Sequence, residues 1–132
     1  MVVLTQELKD FVSRPEVTKI LATVGEGSLP NIGPKGSIRV FDDESLAYAE
    51  VTGKQHYRNV QRNPAVAIAC VDWQTREGYR FLGEAELHPS GEVYDRVAAQ
   101  LLSMGYKPVA GVRVRVQAVY SLSGPQAGER VL

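Results

Sequence analysis

An antiparallel β-barrel carrying two or three peripheral helices, a mainly β fold, is what this sequence predicts, and three observations predict it. About seven short segments alternate apolar with polar residues, or large with small ones, which is the period of a strand. The breaks between the early ones are short and rich in glycine, proline and aspartate, as in hairpins. Helical patterns never alternate with strands in the βαβ rhythm that a parallel sheet requires.

The elements follow in order. Residues 5–14 read as an amphipathic helix, with Thr5 as N-cap, Glu7 in the first turn, and Leu8, Phe11 and Val12 on one face; Pro15 ends it. Residues 18–24 alternate as a strand, and Gly25, Glu26, Gly27 and Ser28 turn the chain into another near 29–33. After a break at 33–37, Ile38 and Val40 alternate with Arg39 and Phe41, Asp42, Asp43 and Glu44 form a turn, and 45–51 is the next strand. Four strands so closely spaced imply an antiparallel meander.

A helix of about two turns carries His56, Tyr57, Asn59 and Val60 and stops at Asn63, because a residue before proline avoids the helical region. In the strand 65–71, Ala65, Ala67 and Ala69 alternate with Val66, Ile68 and Cys70, a small-and-large pattern that suits a curved barrel strand. Tyr79, Phe81, Gly83, Ala85 and Leu87 alternate with charged residues and Leu82, and Gly83 marks a bulge or bend. A second long helix starts at Ser90 with an apolar stripe of Val93, Tyr94, Val97, Ala98, Leu101 and Leu102, and Gly105 suits its C-terminal end. The last strand puts Val112, Val114, Val116, Ala118 and Tyr120 on one face; the polar tail 124–132 is expected to be loosely held.

Composition narrows function. The 132 residues are expected to form a single domain, and the 44% apolar and 23% charged content is that of a globular protein. Fifteen basic residues balance fifteen acidic ones, which gives no broad footprint for nucleic acid or an anionic membrane, so any anion site must be local. One cysteine excludes an intrachain disulfide, and two histidines exclude a histidine-rich metal site. With no signal-like or membrane-spanning run, the expected compartment is the cytoplasm. No nucleophile elbow or zinc-binding helix motif occurs, and Cys70 lies in an apolar run where a thiol is inert. No catalytic side chain or metal ligand is therefore assigned. A ligand that carries its own reactivity fits best.

Two segments offer a place for one. At Thr52, Gly53, Lys54 and Gln55 a strand pattern gives way to a helical one. Thr52 as N-cap and Gln55 three residues on form a capping-box signature, so free amides and the helix dipole would face an anion there, with Lys54 adding a full charge. The same tetrapeptide also reads as an ordinary capped helix with a solvated lysine. Upstream, Gly33, Pro34, Lys35, Gly36 and Ser37 form a second cationic, glycine-bearing break.

The order NIGPKGS, then LAYAEV, then TGKQHYRNVQRNP followed by AVAIACVDW, with the later GYRFLGEAEL and VRVRVQAVYSL strands, resembles the pyridoxamine 5′-phosphate oxidase-like FMN-binding proteins. The resemblance spans about residues 8–122 and implies a Greek-key split β-barrel. It implies FMN held between the subunits of a homodimer, with Thr52, Gly53, Lys54, Gln55 and His56 at the phosphate and Asn59 on the same helix. Gly33, Pro34, Lys35, Gly36 and Ser37 would border the ring or ribityl chain. Where the oxidases often carry an Arg-Lys pair, this chain has Lys54, Gln55 and His56, so charge compensation is expected from Lys54, backbone amides, Lys35 and, if protonated, His56.

The resemblance does not extend to the arginine- and tryptophan-rich C-terminal segment with which the oxidases contact substrate, so an activity other than pyridoxamine phosphate oxidation is expected. The resulting expectation is an FMN-dependent oxidoreductase acting on a small-molecule redox substrate. A non-enzymatic FMN carrier or electron-transfer protein is the alternative, and haem or deazaflavin binding on the same scaffold ranks behind both. Phe41, Tyr48 and Tyr79 are the aromatics expected at a subunit interface.

Overall fold

A computed structural model describes residues 2–132. Helix α1 (Gln6–Val12) begins where the sequence places it: the Thr5 hydroxyl accepts a hydrogen bond from the Leu8 amide at 3.2 Å. Its buried Leu8, Phe11 and Val12 join the main core, and Lys9 pairs with Asp43 across the protein.

Seven strands form one antiparallel sheet: β1 (Thr18–Val24), β2 (Pro30–Pro34), β3 (Arg39–Asp42), β4 (Ser45–Glu50), β5 (Ala65–Asp72), β6 (Glu77–His88) and β7 (Ala110–Ser121). Their order is β2-β1-β5-β6-β7-β4-β3. Helices α2 (Gln55–Arg62) and α3 (Glu92–Ser103) complete a split barrel. Inside it Leu21, Ile68, Phe81, Val112, Val114 and Val119 are fully buried.

The expected four-strand meander is instead two hairpins at opposite ends of the sheet. β1 pairs with β2 and β3 with β4, but β2 and β3 do not pair. Pro34 ends β2, and the following loop folds back through Lys35 N–H to Lys19 O (2.9 Å) and Ile38 N–H to Lys35 O (3.2 Å). The Ala49 amide then donates to the Ser37 hydroxyl at 3.0 Å, which ties this loop to β4. The split in the barrel therefore lies where the cationic break 33–37 was read.

Gly83 does mark a bulge. Leu82 pairs with Ala118 but Gly83 pairs with Val116, leaving Gln117 as the extra residue of β7. A Cβ on Gly83 would stand 2.3 Å from Arg115 O, so only glycine admits this approach. The bulge also overturns the expected face of β7. Beyond it the alternation changes phase, Val119 becomes fully buried, and Tyr120 turns outward beneath Arg80, whose guanidinium lies 4.8 Å from the ring centroid.

The tail is likewise not loose. Val131 N–H donates to Val119 O at 2.8 Å, Ser121 N–H to Glu129 O at 2.9 Å, and Val119 N–H to Leu132 O at 2.9 Å, so residues 129–132 run along β7.

Helix α3 covers the outer face of β4 and β7, packing Val97 on Ala47 and Ala49. Gly111 lets its backbone in, since a Cβ there would meet Tyr94 Cα at 2.8 Å. The outer face of β2, β1 and β5 is different: Ala22, Ile32 and Ala67 share one cross-strand row, and their side chains are half-buried to exposed. The aromatics expected at an interface have other roles. Tyr48 is fully buried, Tyr79 packs edge-on against Phe11 with centroids 5.1 Å apart, and Phe41 lies under the Arg96 and Arg113 guanidiniums at 4.1 and 5.7 Å. Leu29 and Ile32, each 71% exposed, are exposed apolar residues at this edge of the sheet, as Trp73, Val3 and Met104 are elsewhere on the surface.

Candidate cofactor site

The corner between β4 and α2 is built differently from a Thr52 capping box. The first helical hydrogen bond runs from Arg58 N–H to Lys54 O at 2.9 Å, which makes Lys54 the N-cap. Gly53, at φ +64°, carries the turn that delays the helix by two residues. Thr52 is exposed, and the Gln55 amide reaches forward to Asn59 Oδ1 at 2.6 Å rather than back to the cap. The helix end nonetheless keeps its free donors. The backbone amides of Gln55, His56 and Tyr57 have no hydrogen-bond partner among the described residues, and exposed Lys54 has no ion pair there.

Asn59 is only 2% exposed; its Nδ2 donates to Thr23 Oγ1 at 3.0 Å while its Oδ1 receives Gln55. Asn59 therefore braces the corner from a buried position. Thr23 Oγ1 lies 2.8 Å from His56 Nδ1, and Asn31 Nδ2 lies 3.3 Å from the same nitrogen. Asn31 Nδ2 can only donate, so Nδ1 is the acceptor, the Thr23 hydroxyl donates to it as well, and the imidazole proton sits on Nε2. Burial and then the Lys35 charge lower the His56 pKa, against a smaller raising effect of Glu50. His56 is thus a neutral N–H donor at pH 7, and the charge it would add if protonated is absent there. Its Nε2 lies 3.9 Å from where a Gly33 Cβ would stand, so the 33–37 segment and the corner do meet.

Next to them, between the outer face of β4 and α3, is a pocket of about 590 Å³. Pro34, Lys35, Gly36 and Ser37 line it, with Ile38, Ala49 and Val51 alongside and Val97, Gln100, Leu101 and Met104 from α3. Two further cations face it, Lys19 and Arg39. Neither has a carboxylate within ion-pair distance among the described residues; Arg39 donates to Arg96 O at 3.0 Å. Burial and then the Arg39 charge lower the Lys19 pKa, while the Cys70 thiol acts the other way. The Ser37 hydroxyl is engaged with Ala49, so it shapes the pocket rather than offering a free donor.

Lys35 joins this pocket to the barrel interior. Its Nζ lies 3.5 Å from Glu50 Oε1 and 5.5 Å from the Tyr48 ring centroid. Glu50 is 1% exposed, and its Oε1 makes no hydrogen bond, nor does the Tyr48 hydroxyl. Burial and then the Glu50 charge raise the Tyr48 pKa beyond the usual phenol range. Cys70 is buried and its thiol pushed up to about 12, which makes it inert.

Of the residues read from the sequence, Pro34, Lys35, Gly36 and Ser37 line the pocket, and Gly33 and His56 join the two segments. Thr52, Gly53, Lys54 and Gln55 form the corner just past Val51. Lys19, Arg39, Glu50 and the α3 residues were missed. Only Glu50 carried a sequence signal, an acid in phase with the core positions Leu46 and Tyr48 of its strand.

No curated protein sequence matches the chain significantly. HupZ from Group A Streptococcus is 33% identical, with 100% of both chains covered and a TM-score of 0.85. An FMN-binding protein from Syntrophomonas wolfei is 15% identical over 88% of this chain and 84% of its own, with a TM-score of 0.76. HutZ, the heme storage protein from Vibrio cholerae, is 21% identical over 91% of this chain and 95% of its own, with a TM-score of 0.68. At these identities the last two likenesses concern the fold. The sequence profile described as pyridoxamine 5′-phosphate oxidase matches residues 4–123. With that profile spanning most of the chain, and a relative of one-third identity along its whole length, the chain belongs to the pyridoxamine 5′-phosphate oxidase family.

Proposed function

We propose that this protein binds FMN and serves as a flavin-dependent oxidoreductase acting on a small redox substrate. The observation that carries the reading is a pocket of ligand size holding Lys19, Lys35 and Arg39, next to a helix start with three free amides. This donor set fits a phosphorylated, planar ring. The amides of Gln55, His56 and Tyr57 with Lys54 would hold the phosphate, while the backbone at 33–37 and the apolar wall of Val97 and Leu101 would border the ring. Bound FMN supplies one- and two-electron transfer, which no side chain here provides. His56 Nε2–H is a neutral donor beside that place. The direct test is whether FMN titrated into purified protein binds and whether the bound flavin is reduced and reoxidised with turnover; binding without turnover favours the carrier reading.

Haem is the second reading, because a heme storage protein shares the fold. His56 Nε2 is the free histidine nitrogen at the site, whereas His88 lies beside Glu86 on the sheet, Nε2 to Oε1 3.5 Å. A Soret band in purified protein would favour haem over flavin.

The working unit in this reading is a homodimer. The uncovered row of Ala22, Ile32 and Ala67, with exposed Leu29 on the same hairpin, is apolar, as sheet faces buried between subunits are. A two-fold partner seated there would lie against β2, the strand that leads into the pocket loop.

A further inference from the structure

We infer that Glu50 is an internal counter-ion competing with a bound anion for Lys35, so that filling the pocket draws a proton onto Glu50. The inference rests on the anion-binding half of the reading above and not on the identity of the cofactor.

Glu50 lies on the core side of β4 with Tyr48, while Ala49 and Val51 face the pocket. Its Oε1 has no hydrogen bond, and among the described residues the cation within ion-pair distance of it is Lys35 Nζ at 3.5 Å. Lys35 itself lines the pocket. The groups acting on Glu50 are Lys35 from the β2–β3 loop, neutral His56 from α2 and Tyr48 on its own strand; β7 opposes it with Ala110, and Val109 N–H donates to its backbone carbonyl at 2.7 Å.

An anion entering the pocket meets Lys19 and Arg39 without carboxylate partners, but Lys35 already committed. Drawing Lys35 outward leaves a carboxylate buried with no cation and no hydrogen bond at Oε1. A group so placed neutralises rather than stay charged. Solvent supplies the proton, and the only bond formed is O–H on Glu50. The Tyr48 hydroxyl, buried without a partner, lies along the same interior face. Anion binding therefore tightens as pH falls, and removing the Glu50 charge tightens it wherever Glu50 is ionised in the empty protein.

Sulfate is the probe, since its charge is constant over the range used and its binding requires no flavin site. Amide shifts of residues 35–39 are titrated by NMR at about pH 5.5 and 7.5 in wild type, Glu50→Gln and His56→Gln. Wild type should bind about tenfold tighter at the lower pH. Glu50→Gln should bind at least about fivefold tighter than wild type at the higher pH and lose most of the pH slope, while His56→Gln keeps it. Equal or weaker binding by Glu50→Gln, parallel slopes, or no shift at residues 35–39 overturns the inference. Should Glu50→Gln not fold, calorimetry of wild type in two buffers of different ionisation enthalpy decides: uptake approaching one proton per sulfate supports it, and none overturns it. A chain that binds sulfate in this way yet never binds FMN would defeat the cofactor reading alone.

Discussion

Lys35 Nζ lies 3.5 Å from Glu50 Oε1, and this pair joins the barrel interior to the pocket outside it. The lysine comes from the loop that splits the barrel and the glutamate from the strand that leads into the helix corner. Charge, topology and ligand site therefore meet at one contact, and mutations around it separate the parts.

Arg39 lines the pocket and Lys54 stands at the helix start, and both would supply charge to the proposed ligand. Replacing either with alanine should cost about 1.5–3 kcal/mol of FMN binding, one to two decades in affinity, measured by quenching of flavin fluorescence. Unchanged affinity in Lys54→Ala would mean that this exposed lysine is only solvated.

Gly83 is required by the bulge. Gly83→Ala puts a methyl 2.3 Å from Arg115 O and 2.9 Å from Val114 Cγ1, so about 3 kcal/mol of stability should be lost in urea unfolding. A loss below about 0.5 kcal/mol would mean that the β6–β7 register is not as described.

The pH dependence of stability should carry a His56 component. Its folded pKa lies below the ordinary 6.5, so the unfolded chain binds the proton first as pH falls. Stability from this group is present above about pH 6.5 and declines as pH drops from there towards the folded pKa. His56→Gln should flatten that part of the profile, and an unchanged slope would contradict the lowered pKa of the buried, Lys35-facing imidazole.

The apolar outer row predicts the oligomeric state. Wild type should sediment as a dimer at micromolar concentration, and Ile32→Asp, which puts a charge on a residue 71% exposed in one chain, should give a folded monomer. A wild-type monomer would leave the row uncovered and remove the shared-site element of the reading.

Local signals made most of the fold legible. The Thr5 cap, the alanine phase of β5 and the bulge at Gly83 each arise from a few neighbouring residues. What was not legible depends on pairing between distant segments. That β2 and β3 lie at opposite ends of the sheet follows from β1 choosing β5 and β4 choosing β7. The face of Tyr120 follows from a bulge whose extra residue, Gln117, sits on the partner strand of the glycine that permits it. Lys19 and Arg39 read as ordinary outward residues until the topology puts them beside Lys35 and under α3. Helix start was misread by two residues because Thr52 and Gln55 have the spacing of a capping box, whereas Gly53 in a left-handed conformation turns the chain first.

The central claim, a pocket and helix start that together take a phosphorylated flavin, is tested most directly by titrating purified protein with FMN and with riboflavin under one set of conditions. The account predicts a yellow complex that prefers FMN by at least about tenfold, the contribution of one charge-assisted phosphate contact. Equal affinity for the two flavins, or binding of neither, would contradict it.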